Sequence, residues 1–188
     1  MMSDEALLKL KEGNMRFQQN KFAERKTDSD FRRELVEGQN PYAAILSCAD
    51  SRVAPELVFD SDLGDIFVVR VAGNIANSSS IASLEYAVSQ LGTSLIVVLG
   101  HQNCGAVSAA IAGFDGGVHL NNLLAHIKPS FESTEGSTDL NDVVKLNAKK
   151  SAEALMERSE IIKEKVRQGK IKIVAAYYHI AHGNVEFF

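Results

Sequence analysis

Apolar residues recur along this chain in two rhythms, and the change between them divides it. Through "LLKLKEGNMRF" (residues 7–17), Leu7, Leu10, Asn14 and Phe17 fall along one helical face. Ser3 is placed to cap that helix, with Asp4 and Glu5 in its opening turn, and Gly13 weakens it locally. "SDFRRELVEG" predicts a second short helix ending near Gly38. Beyond this the rhythm changes. "YAAILSC" (42–48), "DIFVVRV" (65–71), "SLIVVLG" (94–100) and "KIKIVAAYY" (170–178) are short apolar runs rich in valine and isoleucine, the mark of strands covered on both faces.

Between the second and third runs, "SSSIASLEYAVSQLG" has a serine cap, a face of Ile81, Leu84, Val88 and Leu91, and Gly92 as terminator. It predicts a crossover helix. Small residues suited to close packing follow the third run ("CGAVSAAIAG"), then "HLNNLLAHIK", then a charged amphipathic stretch from Asp139 to about Gln168. The tract 129–138, "PSFESTEGST", predicts a loop. Alternating strands and helices define an α/β fold, with a mostly parallel central sheet of four to five strands flanked by helices. The expected organisation is one domain over 1–188, with an N-terminal helical arm (1–38) and an α/β core (42–188). Such sheets place ligand chemistry at the carboxyl ends of their strands, and the first and third runs end at Cys48 and at Gly100-His101.

Composition narrows the function. With 188 residues, 45% of them hydrophobic, the chain can bury a core without disulfide staples. A formal net charge of −4 and the lack of any long basic run argue against capture of nucleic acid or of an anionic membrane. No apolar stretch approaches membrane-spanning length, and Met1-Met2-Ser3-Asp4-Glu5 lacks the basic-then-apolar layout of a secretory signal, so a cytoplasmic location is expected. There are two cysteines, Cys48 and Cys104. Taken alone they read as buried thiols or as one disulfide.

Their neighbours change that picture. C-A-D-S-R (48–52) and H-Q-N-C-G (101–105) both lie where an α/β sheet puts its site. A catalytic zinc site uses three ligands drawn from cysteine, histidine and carboxylate, with a fourth position for water, and Cys48, His101 and Cys104 supply that set. His101 and Cys104 are three residues apart, so a helix beginning near His101 would direct both to one metal. In an extended segment Asp50 and Arg52 share the side of Cys48; the aspartate can orient a bound water or take its coordination position, and the arginine keeps it ionised. Other motifs fail on spacing. A cysteine-phosphatase loop would need arginine at Ala54, no phosphate-binding G-x-x-x-x-G-K-[ST] or dinucleotide G-x-G-x-x-G is present, and there is no C-x-x-C.

At these residues the chain resembles the β-class carbonic anhydrases, through C-x-D-x-R from Cys48 followed by H-x-x-C from His101 to Cys104. The likeness extends through "LKEGNMRF", "GQNPYAAILSCADSRVAPELVFDSDLGDIFVVRVAGNIA", "SLEYAVSQLG" and "VVLGHQNCGAV", roughly residues 7 to 112. The resemblance implies one Zn2+ per chain on Cys48, His101 and Cys104. Asp50 and Arg52 form a dyad beside it, Asp50 being a conditional fourth ligand. It implies substrate contacts from Gln39, Phe67 and Tyr86, contributed across a homodimer or larger even-numbered assembly with the N-terminal helices packing on the partner, and from Gly105. Without it, Phe67 and Tyr86 would be core and Gln39 an ordinary loop amide. The segment "YYHIAHGNVEFF" departs from the family's Y-D-[LI]-x-T-G by His179 and His182, leaving the last strand open.

The implied reaction is reversible hydration of carbon dioxide to bicarbonate and a proton by zinc-bound hydroxide. Two alternatives share the motif: hydrolysis of carbonyl sulfide or carbon disulfide, and a non-catalytic zinc module in which Asp50 closes the coordination shell permanently.

Overall fold

A computed structural model describes residues 1–133 and 139–188. Its centre is a five-stranded sheet in the order β2-β1-β3-β4-β5. The strands are β1 (Ala43–Ser47), β2 (Ile66–Arg70), β3 (Leu95–His101), β4 (Lys172–Tyr178) and β5 (Val185–Phe187). The first four run parallel and β5 closes one edge antiparallel to β4. A last strand thus forms despite His179 and His182, entered through a turn in which Gly183 donates its N–H to the His179 carbonyl.

Every residue of β1 and β3 is buried, as continuous apolar runs require when both faces are covered. Alternation splits them cleanly. Ile45, Val97, Leu99 and Ala176 face α1 (Ser3–Gln18) and α3 (Pro55–Val58) through Leu10, Val58 and Phe59. On the other face Ala44, Leu46, Ile96, Val98 and Ala175 meet α4 (Ser78–Ser89), α8 (Leu140–Arg158) and α9 (Glu160–Arg167), through Leu84, Val88, Leu155 and Ile162. Each fully buried Leu or Ile contributes roughly 1.5–3 kcal/mol relative to exposure. The remaining helices are α2 (Ser29–Glu34), α5 (Gly105–Ile111), α6 (Val118–Ala125) and α7 (Lys128–Glu132).

Several local expectations are corrected. Ser3 is the first helical residue of α1 and Met2 occupies the cap position, where the Glu5 carboxylate accepts the Met2 N–H at 2.9 Å. Gly13 is a packing requirement, because a Cβ there would sit 1.9 Å from the Phe59 carbonyl oxygen. Asn14, on the apolar face, ties three elements together: Nδ2 donates to the carbonyls of Val58 and Gly183, and Oδ1 accepts from Val185 N–H. Thus α1 packs on its own sheet, while α2 buries none of its residues. Within the tract read as a loop, Lys128–Glu132 is helical with Pro129 in its first turn; residues 134–138 lie outside the described residues. The charged stretch from Asp139 breaks into α8 and α9 at Ser159, whose Oγ caps the second helix by accepting Ile162 N–H.

Candidate metal centre

β1 and β3 are paired in register, with Ser47 opposite Leu99, so Cys48, one residue past that pair, and His101, two past it, emerge at the same end of adjacent strands. Cys48 directly follows β1. The segment after it does not stay extended as expected. Arg52 N–H donates to Asp50 Oδ1 (2.9 Å) and Val53 N–H to the Asp50 carbonyl (3.0 Å), a turn built on the aspartate side chain. That turn folds the Arg52 guanidinium back onto Asp50 in a two-pronged contact, Nε to Oδ1 at 3.0 Å and Nη2 to Oδ2 at 2.8 Å.

His101 ends β3, and the helix expected near it begins only at Gly105. Convergence of His101 and Cys104 is made by the Gln102-Asn103 turn, with Asn103 in the left-handed region at φ 53°. Asparagine tolerates that conformation where bulkier residues do not. Cys104 then occupies the cap position of α5.

The structure brings Cys48, His101 and Cys104 together, all buried, with ligand atoms within 4.8 Å of one another and the two sulfurs 4.0 Å apart. Both thiols are free. His101 Nδ1 lies 3.0 Å from the Gln102 carbonyl, which sets the tautomer with the proton on Nδ1 and a lone pair on Nε2. That Nε2 is buried and has no hydrogen-bond partner. Leaving such a group unsatisfied costs about 1–3 kcal/mol, and a cation between it and the two sulfurs removes the cost. The donor set, the burial and the orphaned nitrogen all fit a thiophilic divalent ion.

Electrostatics point the same way. The hydrogen bond shared by the two sulfurs, with the Gly73 N–H (3.3 Å), pulls Cys48 well below the usual thiol range against its burial. The same hydrogen bond, together with burial, pushes Cys104 up. A metal must therefore displace the proton the pair retains. The Arg52 guanidinium hydrogen bonds, then its backbone N–H, hold the Asp50 carboxyl well below the usual carboxylate range. Asp50 Oδ2 lies 3.8 Å from His101 Nε2, so the carboxylate borders the ligand cluster while Arg52 engages it.

Sequence reasoning passed over two groups. Arg70, the last residue of β2, donates Nε to the Cys48 carbonyl (3.1 Å) and Nη2 to the Asp50 carbonyl (2.7 Å), pinning the ligand segment from the neighbouring strand. A charge closing an otherwise apolar run was its only signal. Gly73 sits at φ 71° in the turn Ala72–Asn74, and a Cβ there would lie 2.7 Å from the Ile127 Cδ1.

Of the four substrate candidates, Gly105 adjoins the ligand Cys104 and the other three lie away from it. Gln39 is an exposed residue before β1. The five residues of that strand, at about 3.3 Å each, separate it from Cys48 by ~16 Å of chain rise. Phe67 is paired with Ala44 in the first half of β1, half-buried on the edge strand, and its ring packs 6.2 Å from that of Tyr86, which is 49% exposed. Gly105 opens α5, and a Cβ there would meet only open space.

The carbonic anhydrase family model matches residues 43–185, so the chain belongs to that family. It is 39% identical to "Carbonic anhydrase 2" of Mycobacterium tuberculosis over 180 residues, covering 93% of this chain and 87% of that protein. To the carbonic anhydrase of Mycolicibacterium smegmatis it is 36% identical over 183 residues, 94% and 89% of the two chains. Among solved structures it is similar to the β-carbonic anhydrase CafA of Aspergillus fumigatus, with TM-score 0.76, 26% identity, and coverage of 98% and 89%. The fold is shared with a tetrameric β-carbonic anhydrase of Sordaria macrospora at TM-score 0.77, 24% identity, and coverage of 86% and 87%. Among the described residues no helix is long and apolar enough to cross a membrane.

Proposed function

We propose that the chain catalyses reversible hydration of carbon dioxide to bicarbonate and a proton, at a zinc ion held by Cys48, His101 and Cys104. One observation carries the reading: three buried ligand atoms converge within 4.8 Å beside a carboxylate that an arginine holds in two prongs. Zinc bound there would supply Lewis acidity, making water a strong nucleophile near neutral pH.

The chain's own groups divide the remaining work. Asp50, kept ionised by Arg52, is an acceptor at the edge of the ligand cluster and orients the attacking water. Arg52 competes for the carboxylate, so Asp50 does not close the site permanently; this favours an enzyme over a structural zinc module. Arg70 and Gly73 hold the Cys48 segment in place. The open space over Gly105 leaves the α5 amino end approachable by a small substrate. Gln39, Phe67 and Tyr86 lie toward the other end of β1 and serve the centre of a second copy in a homodimer or larger even-numbered assembly. Two free thiols 4.0 Å apart suit the reducing cytoplasm.

Two thiolates neutralise the charge of the dication, so the nucleophilic water should ionise above the pKa of about 7 found with three neutral histidines. Turnover should therefore rise with pH beyond neutrality. Zinc analysis with stopped-flow carbon dioxide hydration, run across pH on wild type and Asp50→Ala, tests the reading. The variant should keep zinc and lose about 100-fold or more in turnover. A wild-type protein with one zinc per chain and no hydration activity, or a pH profile flat from acid to alkali, would overturn it.

A further inference from the structure

Between the two metal-ligating residues of the H-x-x-C segment lies a turn braced by side chains from other parts of the fold. Asn103 is exposed and left-handed, a conformation that is uncommon outside glycine and needs support from its surroundings. Both of its backbone polar groups are engaged from outside the turn. Its carbonyl accepts from Arg52 Nη2 at 3.2 Å, and its N–H donates to Asn141 Oδ1 at 3.0 Å. The same Asn141 oxygen accepts the Tyr177 hydroxyl at 2.8 Å, which fills both of its lone pairs.

Each anchor is itself fixed. Asn141 is the second residue of α8, and its own N–H donates to the capping carboxylate of Asp139 at 2.7 Å. Tyr177 lies in β4, 2% exposed, with its ring edge-on to His179 at 4.7 Å and Lys145 over its face at 5.2 Å. Burial, then the charges of Asp139, Glu186 and Asp142, push the Tyr177 hydroxyl up to about 12, so it remains a donor throughout the working range of the protein.

We infer that Asn141 is a positioning residue of the metal centre: its Oδ1, oriented by the Tyr177 hydroxyl, holds the Asn103 N–H and thereby sets the spacing of His101 from Cys104. The clamp joins α8 and β4 to the ligand turn, and through the Asn103 carbonyl it also reaches the arginine of the Asp50–Arg52 pair. Asn141 touches neither metal nor substrate. Groups at this remove from a metal tune it about 10–100-fold in affinity or activity.

The inference rests on the ligand assignment above, and its test is read without carbon dioxide. Zinc release to excess chelator would be timed with a colorimetric zinc indicator, and the visible spectrum of the cobalt-substituted protein would report the ligand geometry. Asn141→Ala should release zinc about 10–100-fold faster than wild type and alter the cobalt spectrum. Asn141→Asp supplies a carboxylate oxygen to the same two donors and should restore both readouts. Tyr177→Phe removes one donor and should fall between. Release at the wild-type rate from a folded Asn141→Ala protein, or failure of Asn141→Asp to rescue, overturns the inference. Should Asn141→Ala fail to fold, the other two variants decide: faster release from Tyr177→Phe with normal release from Asn141→Asp supports the clamp, and any other pattern rejects it. A wild type that binds zinc tightly but hydrates no carbon dioxide would remove the proposed function and leave the clamp standing.

Discussion

The two ends of β1 are built on different plans. At its carboxyl end Cys48, His101 and Cys104 are buried, and the backbone of Cys48, Asp50 and Asn103 beside them is tied by the side chains of Arg70, Arg52 and Asn141. Toward its amino end Gln39 is exposed, Tyr86 is half exposed, and Phe67 lies on an edge strand covered on one side only. The first is finished within one chain. The second presents polar and aromatic groups with little of the same chain to hold them, the condition of a surface completed by association. Metal binding should therefore be a property of the single chain, and turnover a property of the assembly.

The sharpest way to break that comparison is at the finished end. Cys104→Ser removes one of the three converging ligand atoms, so zinc content should fall to background and hydration by more than the about 100-fold typical of a group one step removed from the metal. Normal zinc with only a mild loss of turnover would show that the ion sits elsewhere. A smaller effect is expected at the other end. Tyr86→Arg places a charge on the exposed ring site beside Phe67. It should shift the assembly toward monomer in sedimentation and lower turnover about tenfold, roughly 1.4 kcal/mol, while zinc content is unchanged. A Tyr86→Arg protein that loses zinc, or one that sediments and turns over as wild type, would erase the distinction between the two ends.

The sequence made the ligand triad legible but not the means by which it converges. Four of the strands were readable because β1 to β4 are short apolar runs, but full burial on both faces holds only for β1 and β3, since β2 lies at the sheet edge with none of its residues buried. That Cys48, His101 and Cys104 gather at the carboxyl ends of β1 and β3 followed from topology together with the two motifs. What could not be read were the turns. An aspartate two residues before an arginine looks the same in sequence whether the segment is extended or folded by the Asp50 side chain accepting the Arg52 N–H. Gln102-Asn103 gave no sign that a left-handed residue would replace the expected helix. Gly13 read as a helix weakness because its reason, the Phe59 carbonyl, lies far away in the chain. Asn141 and Arg70 act through contacts at long separation, which periodicity does not register.

The arm that leads to Gln39 offers the last and smallest test. Asp60, left-handed at φ 45° with a fully buried side chain, accepts Arg16 Nε at 2.6 Å and Ala23 N–H at 3.0 Å, with Arg25 Nη2 at 3.7 Å. It fastens the chain just past α1 to the body that carries α3. Burial alone would raise its carboxyl, but the Ala23 N–H and the two arginines outweigh it and hold the group below the ordinary carboxylate value. The folded state therefore binds fewer protons here than the unfolded state. The contribution to stability is fully present above the unfolded pKa of about 3.9 and drains away as pH falls through the lower folded value. Asp60→Asn should cost about 2 kcal/mol near neutral pH, less than the about 3–5 for a wholly buried pair because Arg16 is 39% exposed. Denaturant melts of the two proteins should converge toward pH 2. A gap that is constant from pH 7 to pH 2 would show that Asp60 acts through shape rather than charge, and that the arm's anchorage is not electrostatic.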